Sequence, residues 1–311
     1  MKKIIKLQKR MVTFKTIAED FLIFKKRQIK QSTYYNYTYK IQKYLLPAFE
    51  NLSLEEILEY DFNRFSELLL ETTQISNKFL KDILLVLKSI LKFAEKKYDV
   101  KMKLDLINLP RVRTHSLKVF SESDKRKIKA YCMNSENTKD IGIALCLYTG
   151  MRIGEICALK WEDIDLNKRI IYVRHTLQRI YIDKKNTKII IDAPKSEKSI
   201  RNIPMSNMIY TKLKSMRENF SKDDFFLTGD SKSFMEPRGY QYTFKKMLKE
   251  CKIAERNFHC LRHTFATDCI SVGMDVKSLS EILGHSDVSI TLNRYVHSSD
   301  KIKKRYLEKL A

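Results

Sequence analysis

The sequence has no apolar run long enough to cross a membrane. Its most apolar stretch, 141–151, contains glycine and threonine and falls well short of the ~18 residues a span requires. Nor is there a signal peptide: Met1-Lys2-Lys3-Ile4-Ile5-Lys6 is basic, but its apolar part is too brief. No Cys-x-x-Cys pair occurs. Cys132, Cys146, Cys157, Cys251, Cys260 and Cys269 fall mostly inside apolar helical patterns, which excludes a zinc ribbon or a disulfide frame and reads as reduced, buried thiols. Internal repeats and low-complexity tracts are absent too. Acid is scarce: 37 Asp and Glu face 60 Lys and Arg, a net charge of +23. A field of one sign and that strength calls for a polyanionic partner, nucleic acid first. With 43% hydrophobic and 31% charged residues the chain is globular, and 311 residues suffice for two domains. Solubility and a cytoplasmic location are expected.

Helical periodicity fills the first third. Residues 1–30 hold ten Lys or Arg against Glu19 and Asp20. From Thr13, a stripe of Phe14, Ile17, Ala18, Phe21 and Leu22 predicts a helix. A second follows Ser32-Thr33 and should stop before Pro47. Ser53 with Glu56 forms a capping box for a short helix over 54–59, and Asp61 caps the next. Ser76 to Lys97 is the longest helix. The half is a helical bundle without strand signal, and Lys25, Lys26, Arg27 and Lys30 beside aromatic helix ends suggest a grip on DNA. Residues 99–117 lose periodicity and read as an exposed basic linker, with Arg111 and Arg113 able to track phosphates. Domain boundaries are expected at 1–98, 99–117 and 118–311.

The second domain opens on a Ser121-x-x-Asp124 cap. Helices are expected over 122–132, 138–149 and 152–160, then strands over 169–174, 187–192 and 199–203 forming one three-stranded antiparallel sheet, with 194–198 as the last turn. Helix returns over 206–218, 237–251, 258–271, 275–283 and 287–297, and a basic tail helix over 301–310.

Three clusters carry chemistry. In 149–159, Gly150 ends an apolar helix and Arg152 stands at the next helix start, where an anion is favoured, with Glu155 one turn on. In 259–266, His259, Arg262 and His263 share a helix face. In 283–295, His285 follows a helix-breaking Gly284, and Tyr295 lies ten residues later. Singly these are weak. Arg152 also suits a surface ion pair, and Tyr295 is one of sixteen tyrosines. Lys195 is one lysine among many. His259 and His263 have metal-ligand spacing, but the glutamate of the zinc-protease helix is missing. No metal is expected.

Together the motifs are specific. Thr149-Gly150-Met151-Arg152-Ile153-Gly154-Glu155, Pro194-Lys195-Ser196, His259-Cys260-Leu261-Arg262-His263-Thr264-Phe265, Leu283-Gly284-His285-Ser286 and then Tyr295 have the order and spacing of a known pattern. The chain resembles the tyrosine recombinase (phage integrase) family throughout its second domain. Its helical first domain and basic linker resemble the family's core-binding domain. The resemblance implies a mainly α fold: a SAM-like N-terminal helical bundle, then an α+β catalytic domain with a small three-stranded antiparallel sheet.

It also implies roles. Arg152 and Arg262 would bind the scissile phosphate and stabilise the charge that builds there. Tyr295 would be the nucleophile, giving a 3′-phosphotyrosine, and His259 the general acid or base. Lys195 would protonate the leaving 5′ oxygen, and His285 would hydrogen-bond the phosphate. Glu155 would orient a neighbouring basic group, and His263 would be structural. Tyr306 is a rival nucleophile whose context fits a tail helix better. No cofactor is implied, since the phosphotyrosine keeps the bond energy.

The implied partners are double-stranded DNA with short inverted-repeat core sites and three further copies of the chain, in a homotetramer passing through a Holliday junction. An excisionase or host DNA-bending protein is a further candidate. The core-binding pattern begins by Thr13, leaving no room for a separate arm-binding domain, as in Xer or Cre types. The expected function is integration or excision of a mobile element or prophage, in the cytoplasm and at the nucleoid. An Xer-like dimer-resolving recombinase is the nearest rival, and a non-catalytic DNA-binding regulator is a remoter one. The tail can pack in cis or in trans.

Overall fold

Polar caps start most of the helices. The structure, a computed structural model, describes residues 12–112, 117–182, 186–192, 199–296 and Glu308. Thr13 caps α1 (Phe14–Lys26), and α2 is Gln31–Lys40. Both bonds of the Ser53/Glu56 capping box are formed at α4 (Leu54–Glu59); α3 (Leu46–Phe49) precedes it. Asp61 caps α5 (Phe62–Thr72) and Ser76 caps α6 (Asn77–Tyr98). Pro47 does not stop the chain as predicted. The five residues Ile41–Leu45 form a π-helical turn ahead of α3, and Pro47 lies in the first turn of α3. There its missing N–H costs nothing, and the widened turn spares the clash its ring would make with a carbonyl one turn back.

Contacts divide the chain into Met1–His115 with Ile180–Lys188, and Ser116–Arg179 with Ile189–Ala311. The first unit packs around Phe49, whose ring meets Phe14, Tyr60, Phe62 and Phe65 at centroid separations of 4.6 to 5.7 Å. Asp20 on α1 joins α6 by an ion pair with Lys97 and by accepting from the Tyr98 hydroxyl at 3.1 Å. The segment 99–117 is not an exposed linker throughout. Met102 and Ile107 are buried in this unit's core, because a short 3₁₀ turn at Leu104–Leu106 folds them back onto it.

The second unit begins with α7 (Glu122–Asn134), capped by Ser121, and α8 (Thr138–Thr149), buried along most of its length. After α9 (Ile153–Ala158) come β1 (Ile164–Asp165), β2 (Ile170–Val173), β3 (Thr176–Tyr181), β4 (Thr187–Asp192) and β5 (Arg201–Pro204). The three-stranded antiparallel sheet exists, but its membership differs from the expectation. It is β1-β2-β5, with Ile171 opposite both Ile164 and Ile203. Strand 187–192 instead pairs with β3 in a separate two-stranded sheet. Strand β3 ends at Tyr181 and β4 begins at Thr187, so β3 is a nearer partner in sequence than β2. The turn 194–198 lies outside the described residues.

Helices α10 (Asn207–Met216), α11 (Pro237–Glu250), α12 (His259–Ser271), α13 (Val276–Leu283) and α14 (Val288–Tyr295) complete this unit. Trp161, Phe226, Phe258 and Leu261 are among its most buried side chains. All six cysteines are free; five are buried and Cys251 is half-buried. Among the described residues no helix is long and apolar enough to cross a membrane. Of the tail helix expected over 301–310, Glu308 is described and lies in a turn; the rest, Tyr306 included, lies outside the described residues.

Candidate active site

Helices α8 and α12 pack against each other, so the turn after α8 meets the buried face of α12. Gly150 makes that turn with φ +66°, a left-handed conformation that costs glycine little. A Cβ there would lie 2.6 Å from Phe265 Cδ1 and 2.7 Å from Leu283 Cδ2. The freed Gly150 carbonyl accepts from Arg262 Nη1 at 2.7 Å. Arg262 is 1% exposed. Its Nη2 donates to Leu283 O at 2.8 Å and reaches His285 Nε2 at 3.0 Å. Burial and the neighbouring Arg152 pull its pKa down to about 9, still far enough above neutrality to keep it cationic.

Arg152 forms the cap of α9. Its Nη1 donates to Glu155 Oε1 at 2.7 Å, its Nη2 to Gly284 O at 3.0 Å, and its backbone N–H to Glu155 Oε2 at 2.8 Å. The helix start expected to favour an outside anion thus already gives one N–H to the chain's own carboxylate. Glu155 is buried, and its second partner is Arg201 on β5, which donates from Nη1 to Oε1 at 3.0 Å and from Nη2 to Oε2 at 2.8 Å. Burial works against this carboxylate, but Arg201, then Arg152, outweigh it and hold the pKa at about 2. Arg201 also donates to Ser199 O at 3.1 Å and, through Nε, to Ile282 O. Sequence reasoning missed Arg201. The signal was available in strand phase: it shares the inward face of β5 with buried Ile203, while Asn202 and Pro204 face out.

Gly284, with φ +64°, ends α13 and delivers His285. A guanidinium can only donate, so His285 Nε2 is the acceptor from Arg262. The proton therefore sits on Nδ1, which donates to buried Thr291 Oγ1 at 2.7 Å. Burial, then Arg262 and Arg152, push His285 down to about 4, so the ring is neutral at physiological pH. Tyr295 ends α14, and its ring is buried with Ala266, Cys269, Leu279 and Leu283. Its hydroxyl lies 2.7 Å from His263 Nδ1. Burial raises the phenol pKa, while Arg262, Arg294 and Arg152 oppose the rise. Burial, then Arg294 and Arg262, lower His263 to about 4. His259 is surface-exposed, edge-to-face on His263 with centroids 4.4 Å apart. Desolvation of its inner side, then His263, Arg262, Arg294 and Arg152, lower it as well.

The structure therefore brings Arg152, Glu155, Arg262, His263, His285 and Tyr295 together, with His259 at the rim, and adds Arg201 and Thr291. Lys195 and Arg113 lie outside the described residues. In the first unit Lys26, Arg27 and Lys30 are exposed, and Lys25 stacks over Phe21 and Phe24 at 5.8 and 5.5 Å. Arg111 is exposed. Arg152 and Arg201 pair with the single carboxylate of Glu155, and buried Arg262 adds a third guanidinium whose charge that carboxylate does not fully offset. That excess of fixed positive charge is suited to one further anion, with a phenol beside it. Among the described residues no group of three or more His, Cys, Asp or Glu could hold a metal.

Comparison with known proteins gives this arrangement a family. Residues 113–301 match the phage integrase family, and residues 13–66 match the phage integrase N-terminal SAM-like domain. A XerC-like tyrosine recombinase of Caldanaerobacter subterraneus subsp. tengcongensis is 32% identical over 213 residues, 62% of this chain and 54% of the relative. The ICEBs1 integrase of Bacillus subtilis is 23% identical over 315 residues, 97% of this chain and 83% of that protein. The transposase of Tn916 from Enterococcus faecalis is 29% identical over 58% of this chain and 48% of its own length. Apart from the ICEBs1 protein, the chain spans about half the length of these relatives. Among solved structures, the Tn1549 transposon integrase in complex with a circular intermediate DNA superposes with a TM-score of 0.76 at 21% identity, over 96% of this chain and 99% of that one. A lambda integrase tetramer bound to a Holliday junction gives 0.64 at 17%, over 93% and 80%. Together with the two-arginine pocket and the tyrosine beside it, the match over 113–301 shows that the chain belongs to the phage integrase family.

Proposed function

We propose that the chain is a site-specific DNA recombinase of a mobile element or prophage. The observation that carries this is the pocket itself: Arg152 and Arg201 on one buried carboxylate, Arg262 fixed beside them on two backbone carbonyls, and the Tyr295 hydroxyl held 2.7 Å from a neutral histidine. Attack by a phenol oxygen on a phosphodiester builds charge on the non-bridging oxygens. Pre-aimed guanidinium groups stabilise that charge without reorganising as it forms. Arg262 contributes from the floor, fixed by two carbonyls. Arg152 keeps about a third of its side chain open and makes the first contact. His285, neutral and with its tautomer set by Thr291, is placed to shift from Arg262 to a phosphate oxygen once the phosphate takes over the guanidinium.

By the family's pattern Lys195 protonates the leaving 5′ oxygen and His259 moves protons at the open rim. The product is a 3′-phosphotyrosine, which a 5′ hydroxyl of another strand can attack to rejoin DNA with no cofactor. The basic faces of the first unit, with Arg111 and Arg113, track phosphates on double-stranded DNA with short inverted-repeat core sites. Four copies exchange strands through a Holliday junction, with an excisionase or host DNA-bending protein assisting, in the cytoplasm. The relatives support this reading: they include the ICEBs1 integrase and the Tn1549 transposon integrase in complex with a circular intermediate DNA, and the lambda integrase tetramer is bound to a Holliday junction.

The test is a nicked duplex carrying an element end. Wild type should form a covalent protein–DNA band that survives detergent, and Tyr295→Phe should bind the duplex yet form none. A band persisting in Tyr295→Phe removes that residue as nucleophile. No wild-type band on any cognate site removes the enzymatic reading altogether. The 32% identical XerC-like relative favours a second reading, resolution of replicon dimers. A plasmid dimer resolved in cells that lack any element end would select it.

A further inference from the structure

We infer that His263 is the proton acceptor for Tyr295 in strand cleavage, and so a catalytic residue. The inference rests on the recombinase reading above and deepens it, since the family pattern leaves this position structural. Three observations point the same way.

The first is distance. His263 Nδ1 stands 2.7 Å from the Tyr295 oxygen, within hydrogen-bonding range of the atom that must lose its proton. The second is direction. Arg262, Arg294 and Arg152, the charged groups whose field reaches that phenol, are guanidiniums that can only donate and so cannot take its proton. The imidazole Nδ1 is the group in hydrogen-bonding range of the phenol that can accept it. The third is enclosure. His263 is buried, held from one side by Tyr295 and from the other by the edge-to-face ring of His259, whereas His259 is exposed at the rim. An enclosed base beside a buried phenol exchanges its proton with that phenol rather than with bulk water. His263 is neutral in the DNA-free chain, so it has room for a proton. A phosphate bound near Arg262 offsets one of the two cations that depress its basicity. Proton transfer is thereby favoured when substrate is in place.

The step balances. The Tyr295 O–H bond breaks and its proton moves to His263 Nδ1. The phenol oxygen's electron pair forms the O–P bond, the P–O5′ bond breaks, and the departing 5′ oxygen takes a proton from Lys195. In rejoining, the incoming 5′ hydroxyl returns its proton to Lys195, and the released phenolate regains its own from His263.

The experiment measures covalent-complex formation on the nicked duplex. His263→Asn keeps a hydrogen-bonding group near the Nδ1 position but cannot take up a proton, and His263→Ala removes it. Both should bind DNA like wild type by gel shift and cleave about 10²- to 10⁴-fold more slowly. Two further arms separate a lost base from a distorted site. A duplex whose scissile 5′ oxygen is replaced by sulfur needs no proton on its leaving group, so it should rescue Lys195→Ala but not His263→Ala. Replacing Tyr295 in His263→Ala by a ring-fluorinated tyrosine, whose phenol is more acidic, should restore most of the rate. The inference is overturned if His263→Asn cleaves at the wild-type rate, if sulfur substitution rescues His263→Ala, or if fluorination leaves that variant slow. If wild type forms the covalent band while one of these results is obtained, only this assignment falls. If wild type forms none, the recombinase reading falls with it.

Discussion

Replacing Arg201 by methionine should be among the costliest single changes in the second unit. The side chain keeps its length but loses two charge-assisted bonds to Glu155 and its donations to Ser199 O and Ile282 O. Glu155 is 2% exposed, so its negative charge would be left on Arg152 and one backbone N–H. Two routes give the magnitude. Breaking a buried ion pair by removing one partner costs about 3–5 kcal/mol. A glutamate held at about 2 rather than its ordinary 4.5 corresponds to about 3 kcal/mol of pairing at neutral pH. Since Arg152 remains, the low end, about 3 kcal/mol, is expected. The assay is urea unfolding followed by fluorescence. Trp161 is the only tryptophan, is 1% exposed, and stacks on Phe220 at 4.8 Å, so it reports the second unit.

The double variant Arg201→Met/Glu155→Gln removes both charges and should recover more than about 1 kcal/mol relative to additivity. Acid adds a second signature. Glu155 is depressed by folding, so its stabilisation is complete above about 4.5 and is lost as pH falls toward about 2. Wild type should therefore lose stability over that window more steeply than Arg201→Met. A loss below about 1 kcal/mol, additive variants or parallel acid limbs would refute the claim that this pair holds the site together.

Gly150→Ala should cost about 2–3 kcal/mol, since a left-handed backbone strains alanine and its Cβ would strike Phe265 and Leu283; an unchanged Tm would contradict the turn as described. Thr291→Val removes the acceptor for His285 Nδ1–H and should slow cleavage about tenfold, whereas Thr291→Ser should not; equal rates for the two variants would show that the tautomer is set elsewhere. Under native conditions a thiol reagent should modify Cys251 first and leave the five buried cysteines, whose thiols burial pushes above their usual range, until unfolding. Rapid reaction of two or more thiols, counted by absorbance, would contradict that burial.

Local chemistry is what a sequence shows best. Ser53 with Glu56, Asp61, Ser76 and Ser121 cap the helices expected of them, and Gly150 turns where its position implied. These features depend on residues a few positions apart. Pairings that depend on long separations were harder to read. The strand 187–192 shows the same β-branched pattern whether it joins β2 or β3, so periodicity could not choose its neighbour. Arg201 looked like one basic residue among sixty because its meaning comes from Glu155, 46 positions away. His263 was visible beside Arg262, but its contact with Tyr295 spans 32 positions and needs three helices in place. Pro47 misled for the opposite reason. Its local rule is sound, yet a π-helical turn lets the chain satisfy it without stopping.

Beside the side chains of Glu155 and His285, three further acceptors aim the two clamp arginines: Gly150 O, Leu283 O and Gly284 O. These three belong to the backbone. A point mutation of a neighbouring side chain can leave those three oxygens in place, as long as the two glycine turns keep their path. Insertions and deletions are different, because one residue more or less in either turn re-aims a guanidinium at once. At positions in these turns other than the glycines and the catalytic side chains, the site should tolerate substitution better than changes of length. In a library across 149–152 and 282–285 that keeps Gly150, Arg152, Gly284 and His285, activity should track loop length more closely than composition.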